Sequence, residues 1–252
     1  MLRCCQSLSA ALLSLLLLLS SPLLSGAARA QEVDLLLVLC VDGSGSIDEA
    51  EFRLQRQGYA EAMTDQRVLG AIGSGRRGAI AVAFVEWGTP GAPKTLLDWA
   101  IIKDRASAEG WADRLLAQPR GAQSYNAIGD ALMHATDMIK SSPIRGNEAV
   151  IDLSGDGPDL RSLVPAQVAR DRAVAAGITV NALAIYKGGT VSGTGGEALD
   201  LHYERVVIGG PGAFVEIAKD YKDFGKAILN KLVREIAAAP RSTRTAAASE
   251  ER

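Results

Sequence analysis

Asp42, Ser44 and Ser46 stand at alternate positions directly after the apolar run Leu35-Leu36-Leu37-Val38-Leu39-Cys40-Val41. One carboxylate and two hydroxyls in a single tight loop are hard oxygen donors, the kind that suits magnesium, calcium or manganese. Gly43 and Gly45 between them let the backbone turn without Cβ clashes. The amphipathic segment Asp48 to Met63 follows, so the loop joins the carboxyl end of a buried strand to a helix, the place where open α/β sheets take their ligands. An EF-hand is excluded, because counting from Asp42 the sixth residue is Ile47 in place of glycine and the twelfth is Arg53 in place of glutamate. A serine nucleophile elbow is excluded as well, since Ser44 is flanked at two residues' distance by Asp42 and Ser46 where that turn needs glycines. On this loop alone, a polar turn that merely caps the next helix competes with a metal site.

Two further loops favour the metal. Ala149-Val150-Ile151-Asp152-Leu153 has the composition of a buried strand and ends in Ser154-Gly155-Asp156-Gly157. Between the two strands, Gly121 to Leu132 carries the polar residues Ser124, Tyr125 and Asn126 straight into a helix. This order of an Asp-x-Ser-x-Ser strand end, a polar loop before a helix, and a Gly-Asp-Gly strand end resembles the von Willebrand factor A domain and its metal-ion-dependent adhesion site. The resemblance covers about residues 33 to 238. Carried over by position, it implies Asp42, Ser44 and Ser46 as the first ligand group and Asp156 as the aspartate of the family's Thr-Asp-Gly, with Gly155 in the place of threonine. The family's middle ligand, measured back from Leu132, falls on Asn126 where a threonine is usual; Ser124 takes that place if the loop is shifted. The Ser-Gly-Asp-Gly form and the stretch Val206-Val207-Ile208-Gly209-Gly210-Pro211 are similar to an uncharacterised bacterial subfamily of secreted A-type domains, which implies no particular activity.

The charge balance suggests what such a site does. Asp42 and Asp156 together neutralise a divalent ion, while the hydroxyls and an amide oxygen add no charge. An ion held partly through water keeps an electrophilic position open, and magnesium prefers that partly hydrated octahedral arrangement, with calcium and manganese as the other candidates. The resemblance implies that an Asp or Glu of a protein partner completes the shell. The expected function is therefore an exported, metal-dependent, adhesion-type binding module. The alternatives are a metal-dependent hydrolase and a purely structural, metal-stabilised subunit of an envelope complex.

Catalysis has little support in the chain. Its two histidines are His134, two turns into the helix after the Asn126 loop, and His202, in a polar segment before a strand. Neither has metal-ligand spacing to the other or a serine or cysteine motif to serve. Magnesium can activate water, yet no general base stands out: the nearest spare carboxylate, Asp152, lies within a strand and is expected to hydrogen-bond in the core or to its neighbouring loop. The expectation is a non-enzyme.

The remaining elements must position these loops. Ala79 to Trp87 is β-rich, and Lys94 to Ile102 pairs with it as an edge strand. Helices are expected over Asp104–Gln118, with Trp111, Leu115 and Leu116 on one side, over Asn126–Lys140, and over Val164–Ala176, closed by Gly177. Ile178 to Tyr186 is a buried strand, Lys187 to Gly196 a loop, and Phe214 to Ala218 a last short strand. Phe224, Ile228, Leu229, Leu232, Val233 and Ile236 then make one apolar helix face. The fold class is α/β: a doubly wound, mostly parallel sheet with one antiparallel edge strand and helices on both faces.

Residues 1 to 30 have the form of a secretory signal, with Arg3, an apolar stretch Leu12–Leu19 and Ala28-Arg29-Ala30 before Gln31. This leaves a domain over 31–238 and a polar tail over 239–252, in an exported protein that is periplasmic or secreted and meets a membrane only if the signal stays uncleaved. Cys4 and Cys5 leave with the signal, and Cys40 remains alone inside the first strand, so no disulfide is expected. Losing Arg3 and Arg29 leaves 25 basic against 29 acidic residues, a net charge of about −4 with no basic stripe, which argues against nucleic acid as a partner. Arg76 and Arg77 sit in the glycine-rich stretch Gly70–Gly78, which precedes a strand and is expected to be a solvated turn instead of a phosphate loop.

Overall fold

Six strands form one sheet in the order β3-β2-β1-β4-β5-β6. They are β1 (Glu32–Asp42), β2 (Ile80–Trp87), β3 (Lys94–Ile102), β4 (Arg145–Gly155), β5 (Thr179–Ile185) and β6 (Val215–Ala218). All neighbours run parallel except β2 and β3, which form an antiparallel pair at the edge. The computed structural model describes residues 31–121, 124–187 and 196–238. The expected signal over 1–30, most of the loop between Lys187 and Gly196, and the tail from residue 239 lie outside the described residues.

Seven helices accompany the sheet among the described residues: α1 (Glu49–Thr64), α2 (Gln66–Gly73), α3 (Arg105–Leu116), α4 (Ile128–Lys140), α5 (Ala166–Ala175), α6 (Leu199–Val206) and α7 (Phe224–Ala238). Covered strands show why β1 is almost wholly apolar. Leu35, Leu37, Leu39 and Val41 enter one core with residues of α1, α2, α3 and α7. Val38 and Cys40 point to the other face and pack with α4, α5 and α6. The period-two alternation of side chains thus divides one leucine-rich strand between two cores. The Cys40 thiol is free and buried, and burial pushes its pKa up.

The chain leaves β1 toward β2 and β3 on one side, then crosses back to β4 on the other. The strand order reverses between β1 and β4, whose ends are held in register with Cys40 opposite Leu153 and Val41 opposite Ser154. A cleft opens at the carboxyl ends of strands where an α/β sheet reverses in this way.

Several expectations change on inspection. Gly70–Gly78 is only partly a turn: Asp65 caps α2 through the Arg67 amide, and Val68 and Ile72 bury the helix's apolar side. Leu116 does not share the buried side of Trp111 and Leu115 but is 47% exposed at the end of α3. His202 lies within α6, not in a polar segment before a strand; Leu199, His202 and Tyr203, three and four residues apart, make that helix's buried side. The Val206-Val207-Ile208 stretch closes this helix, and Gly209 makes only an isolated bridge to Val180. Gly177 does end α5, at φ 79°, a left-handed conformation that favours glycine.

Candidate metal centre

The three loops converge at the β1/β4 cleft. The Ser44 amide donates to Asp42 Oδ1 at 2.8 Å, an Asx-type turn that folds the first loop back over the end of its strand. The Ser44 and Ser46 hydroxyls lie 2.9 Å apart, and Ser46 Oγ donates to Asp156 Oδ1 and Oδ2 at 3.0 and 3.1 Å. The Asp156 amide approaches Asp42 Oδ2 at 3.4 Å. Asp42 and Ser44 are buried and Ser46 is exposed, so the oxygens form a cup with a closed floor and a solvent-facing rim.

Asp48 then caps α1, accepting from the Glu51 amide at 2.9 Å while Glu51 Oε2 accepts from the Asp48 amide. This reciprocal capping box fixes where the loop ends and the helix begins. The helix cap falls to Asp48, so Asp42, Ser44 and Ser46 are not used up in capping.

The middle loop brings Asn126 beside Gly157, where a Cβ would sit 2.4 Å from the amide nitrogen. Asn126 Oδ1 is buried with no hydrogen-bond partner. Such an orphaned acceptor costs free energy unless something electropositive meets it. Ser124 is exposed and pairs at 3.3 Å with Thr89 Oγ1. Gly155, in the place of the family's threonine, has a local reason: a Cβ there would lie 2.7 Å from the Tyr203 hydroxyl and 3.1 Å from the Trp87 ring. The Tyr203 hydroxyl fills that space and donates to the Gly157 carbonyl at 2.8 Å.

Both acids of the cup are shifted toward their neutral forms. Burial first, and then the neighbouring Asp156 charge, push the Asp42 carboxyl up to about 8. Asp156 is also raised, chiefly by burial, against hydrogen bonds from Ser46 and from the Tyr221 hydroxyl at 3.3 Å. No group of three or more histidine, cysteine or acidic side chains able to hold a metal occurs among the described residues. A divalent ion at this cup would therefore meet two carboxylates completed by neutral oxygens, and two carboxylates, two hydroxyls and an orphaned amide oxygen fit a hard cation.

Several supporting residues carry no motif and were invisible in the sequence. Arg120 Nη2 donates to the carbonyl of Ile47, and Lys187 Nζ to that of Ser46, so cations clamp the backbone of the first loop. Lys187 also pairs with Glu51 at 2.8 Å. Buried Glu86, at the end of β2, accepts from Arg56 at 2.9 Å and from the Gly121 amide at 2.7 Å, tying the start of the middle loop to α1. The only advance signal was Glu86 itself, a carboxylate within an otherwise apolar strand.

The histidines lie elsewhere. His134 Nε2 pairs with Thr95 Oγ1 at 2.8 Å, and buried His202 stands 3.4 Å from Glu197. Asp152 is enclosed in the core, where its Oδ1 lies 2.7 Å from Lys231 Nζ.

Solved structures share this architecture. The chain is similar to proximal thread matrix protein 1 (PTMP1) from the mussel byssus, in a form with a zinc-occupied MIDAS motif, at TM-score 0.60 and 19% identity over 82% of this chain and 48% of that one. It is similar to a von Willebrand factor type A protein from Catenulispora acidiphila at TM-score 0.53 and 19% identity, covering 82% and 42% of the two chains. The vWF domain of the type V pili tip protein Mfa5 from Porphyromonas gingivalis matches at TM-score 0.54 and 11% identity, with 81% of this chain and 95% of that one covered. The fold is that of a von Willebrand factor A domain, spanning about half the length of the mussel protein. By sequence, residues 32–240 match the model of a family described as a protein of unknown function, DUF1194, and the chain belongs to that family. None of the curated proteins matches it.

Proposed function

We propose that this protein is an exported, metal-dependent protein-binding module. In this reading Asp42, Ser44, Ser46, Asn126 and Asp156 hold one divalent cation, magnesium for preference, and an Asp or Glu of a partner protein completes its shell. The observation that carries the reading is the pair of buried carboxylates, Asp42 and Asp156, in a cup whose rim is open at Ser46, together with the orphaned oxygen of Asn126, whose side chain lies by Gly157. The bound ion supplies an electrophilic docking point. The chain's residues fix its place: Asp42 and Asp156 balance its charge, Ser44 and Ser46 offer neutral oxygens, and Arg120 and Lys187 hold the first loop in shape. Asn126 is preferred to Ser124 as the middle ligand because its acceptor is both buried and unsatisfied.

Similarity to a byssus matrix protein and a pilus tip protein supports an interaction role outside the cell, in keeping with the secretory form of residues 1–30. No helix among the described residues is long and apolar enough to cross a membrane.

Calorimetry with magnesium and with manganese tests the metal: the expected result is one ion per chain, with binding removed by Asp42→Ala and weakened by Asn126→Ala. Equal binding by wild type and Asp42→Ala would refute the assignment. Docking is tested by capture from the exported fraction, where a partner retained in magnesium should be released by a chelator. Assays with phosphate-ester, acyl-ester and peptide substrates should show no metal-dependent turnover. A rate that vanished in folded Asp156→Ala would overturn the binding reading.

A further inference from the structure

Next to the cup, three large apolar side chains stand in solvent: Tyr125, Leu160 and Leu163 are 46%, 49% and 74% exposed. Tyr125 belongs to the middle loop and the leucines to the loop between β4 and α5, and the Leu160 amide donates to the Asn126 carbonyl at 2.7 Å. The two loops that carry these side chains are therefore joined at Asn126, beside the proposed donors. Asn126 directly follows Tyr125 in the chain, and Leu160 is four residues beyond Asp156.

The backbone that carries these side chains is fixed by buried Asp130 and by half-buried Asp159 and Ser162. Asp130 accepts from the Leu163 amide at 3.0 Å, from Val164 at 3.2 Å and from Gly91 at 2.8 Å. Asp159 accepts from the Ala166 amide at 3.0 Å and from the Ser162 hydroxyl, which itself accepts from the Gly129 amide at 2.9 Å. Between the leucines, Arg161 has φ 65°, the sole positive φ of a non-glycine residue among the described residues. Its guanidinium lies 5.2 Å from the centre of the Tyr125 ring and makes no ion pair among the described residues. A preset loop that holds apolar groups in solvent, with an arginine over the tyrosine ring and without an ion pair among the described residues, is the form of a recognition surface.

We propose that this rim reads the sequence around the docked carboxylate. The ligand is an extended protein segment in which a metal-binding Asp or Glu has, within a few residues, an apolar side chain and a second carboxylate. The apolar side chain lies on Tyr125, Leu160 and Leu163, and the second carboxylate pairs with Arg161. This rests on the docking reading above and adds to it a partner chemistry: acidic-apolar-acidic.

Random peptides displayed on phage and selected on the purified protein in manganese, with chelator elution, test the proposal. The expected pool carries an acidic residue with an apolar neighbour and a second acidic residue. Leu160→Ser/Leu163→Ser should lower the enrichment of apolar neighbours about tenfold. Arg161→Gln should lower that of the second acid roughly two- to fivefold, as for an exposed ion pair. Both variants should bind manganese as wild type does in calorimetry, which also shows that they fold. Peptides enriched for one acidic residue with no neighbour preference would overturn the rim proposal and leave docking intact. No chelator-sensitive enrichment from a protein that binds manganese would overturn both.

Discussion

Asp42→Asn should stabilise the metal-free protein and at the same time abolish its response to metal. Burial and the Asp156 charge raise Asp42 from the ordinary 3.8 to about 8. A carboxyl with a raised folded-state pKa holds its proton longer in the folded protein, so stability is fully present below about 3.8 and is lost as pH rises through about 8. At pH 7 the loss has run over about three pH units, at about 1.4 kcal/mol each, for a ceiling of about 4 kcal/mol. Asparagine is neutral in both folded and unfolded states, so it removes this proton-uptake cost, and it can still accept from the Ser44 amide. It loses the weak contact from the Asp156 amide at 3.4 Å, which costs about 1 kcal/mol. The net gain is about 3 kcal/mol at pH 7, or roughly 6–12 °C in Tm for a domain of this size. Thermal unfolding in chelator at pH 4, 7 and 9 should show no advantage for the variant at the acid end and a growing one above it. With magnesium at a hundred times its Kd the gap should nearly close, since wild type gains about 2.7 kcal/mol from binding and the variant gains none. A variant no more stable than wild type in chelator at every pH would refute the reasoning, because Asp42 would then not be an uncompensated buried charge.

Other perturbations probe the surroundings. Glu235 is raised to about 8, first by burial and then by the Asp152 charge, so its contribution is present below about 4.5 and lost as pH rises through 8. Glu235→Gln keeps an acceptor for Asn181 and should flatten the fall in stability between about pH 4.5 and 8 measured by urea unfolding, by up to about 5 kcal/mol. Gly157→Ala places a methyl 2.4 Å from the Asn126 amide nitrogen; calorimetry should show weaker metal binding while the Tm moves little. N-terminal sequencing of the mature protein should give a start at Gln31, and a product beginning at Met1 that resists a carbonate wash of the membranes would place the site on a tethered domain.

Much of the frame was legible because buried strands and amphipathic helices repeat with different periods. The apolar runs gave β1, β2 and β5, and the Gly/Pro-rich link before Lys94 gave the antiparallel edge. Two short helices escaped. In α2 the Asp65 cap precedes only two buried residues, Val68 and Ile72, and glycines at 70 and 73 look like a turn. In α6 the buried side includes His202, a polar residue that a search for apolar periodicity passes over. Asp42, Ser44, Ser46 and Asp156, proposed from motif and resemblance, lie together because strand ends in parallel register bring their loops together. The sequence left Ser124 and Asn126 open, since the choice depends on how the loop turns, and the structure adds that Ser124 is exposed while Asn126 Oδ1 is buried without a hydrogen-bond partner. Arg120, Lys187 and Tyr221 act across 65 to 141 residues of chain, and no local pattern marks them.

The closing helix shows the limit most clearly. Its apolar residues at 224, 228, 232 and 236 mark the buried side correctly. Lys231 and Glu235 lie on that same side, both buried, because β4 and β5 present polar groups beneath them. Lys231 Nζ meets Asp152 Oδ1 at 2.7 Å and Glu235 Oε1 at 2.5 Å, and Asn181 donates to Glu235 at 2.8 Å. Two carboxyls face one ammonium, and burial together with the Asp152 charge raises Glu235, so it holds its proton to higher pH than a free glutamate. Each residue alone looks like a misplaced charge, Asp152 within a strand and Lys231 on an apolar helix face. Together they form one buried cluster with Lys231 at ion-pair distance from both carboxyls, and breaking such a set from one side costs about 3–5 kcal/mol. A charge that interrupts an apolar pattern is therefore a hint that another interrupted pattern lies opposite. In this chain Asp152 in β4 and the pair Lys231 and Glu235 in α7 are such interruptions, one set against the other.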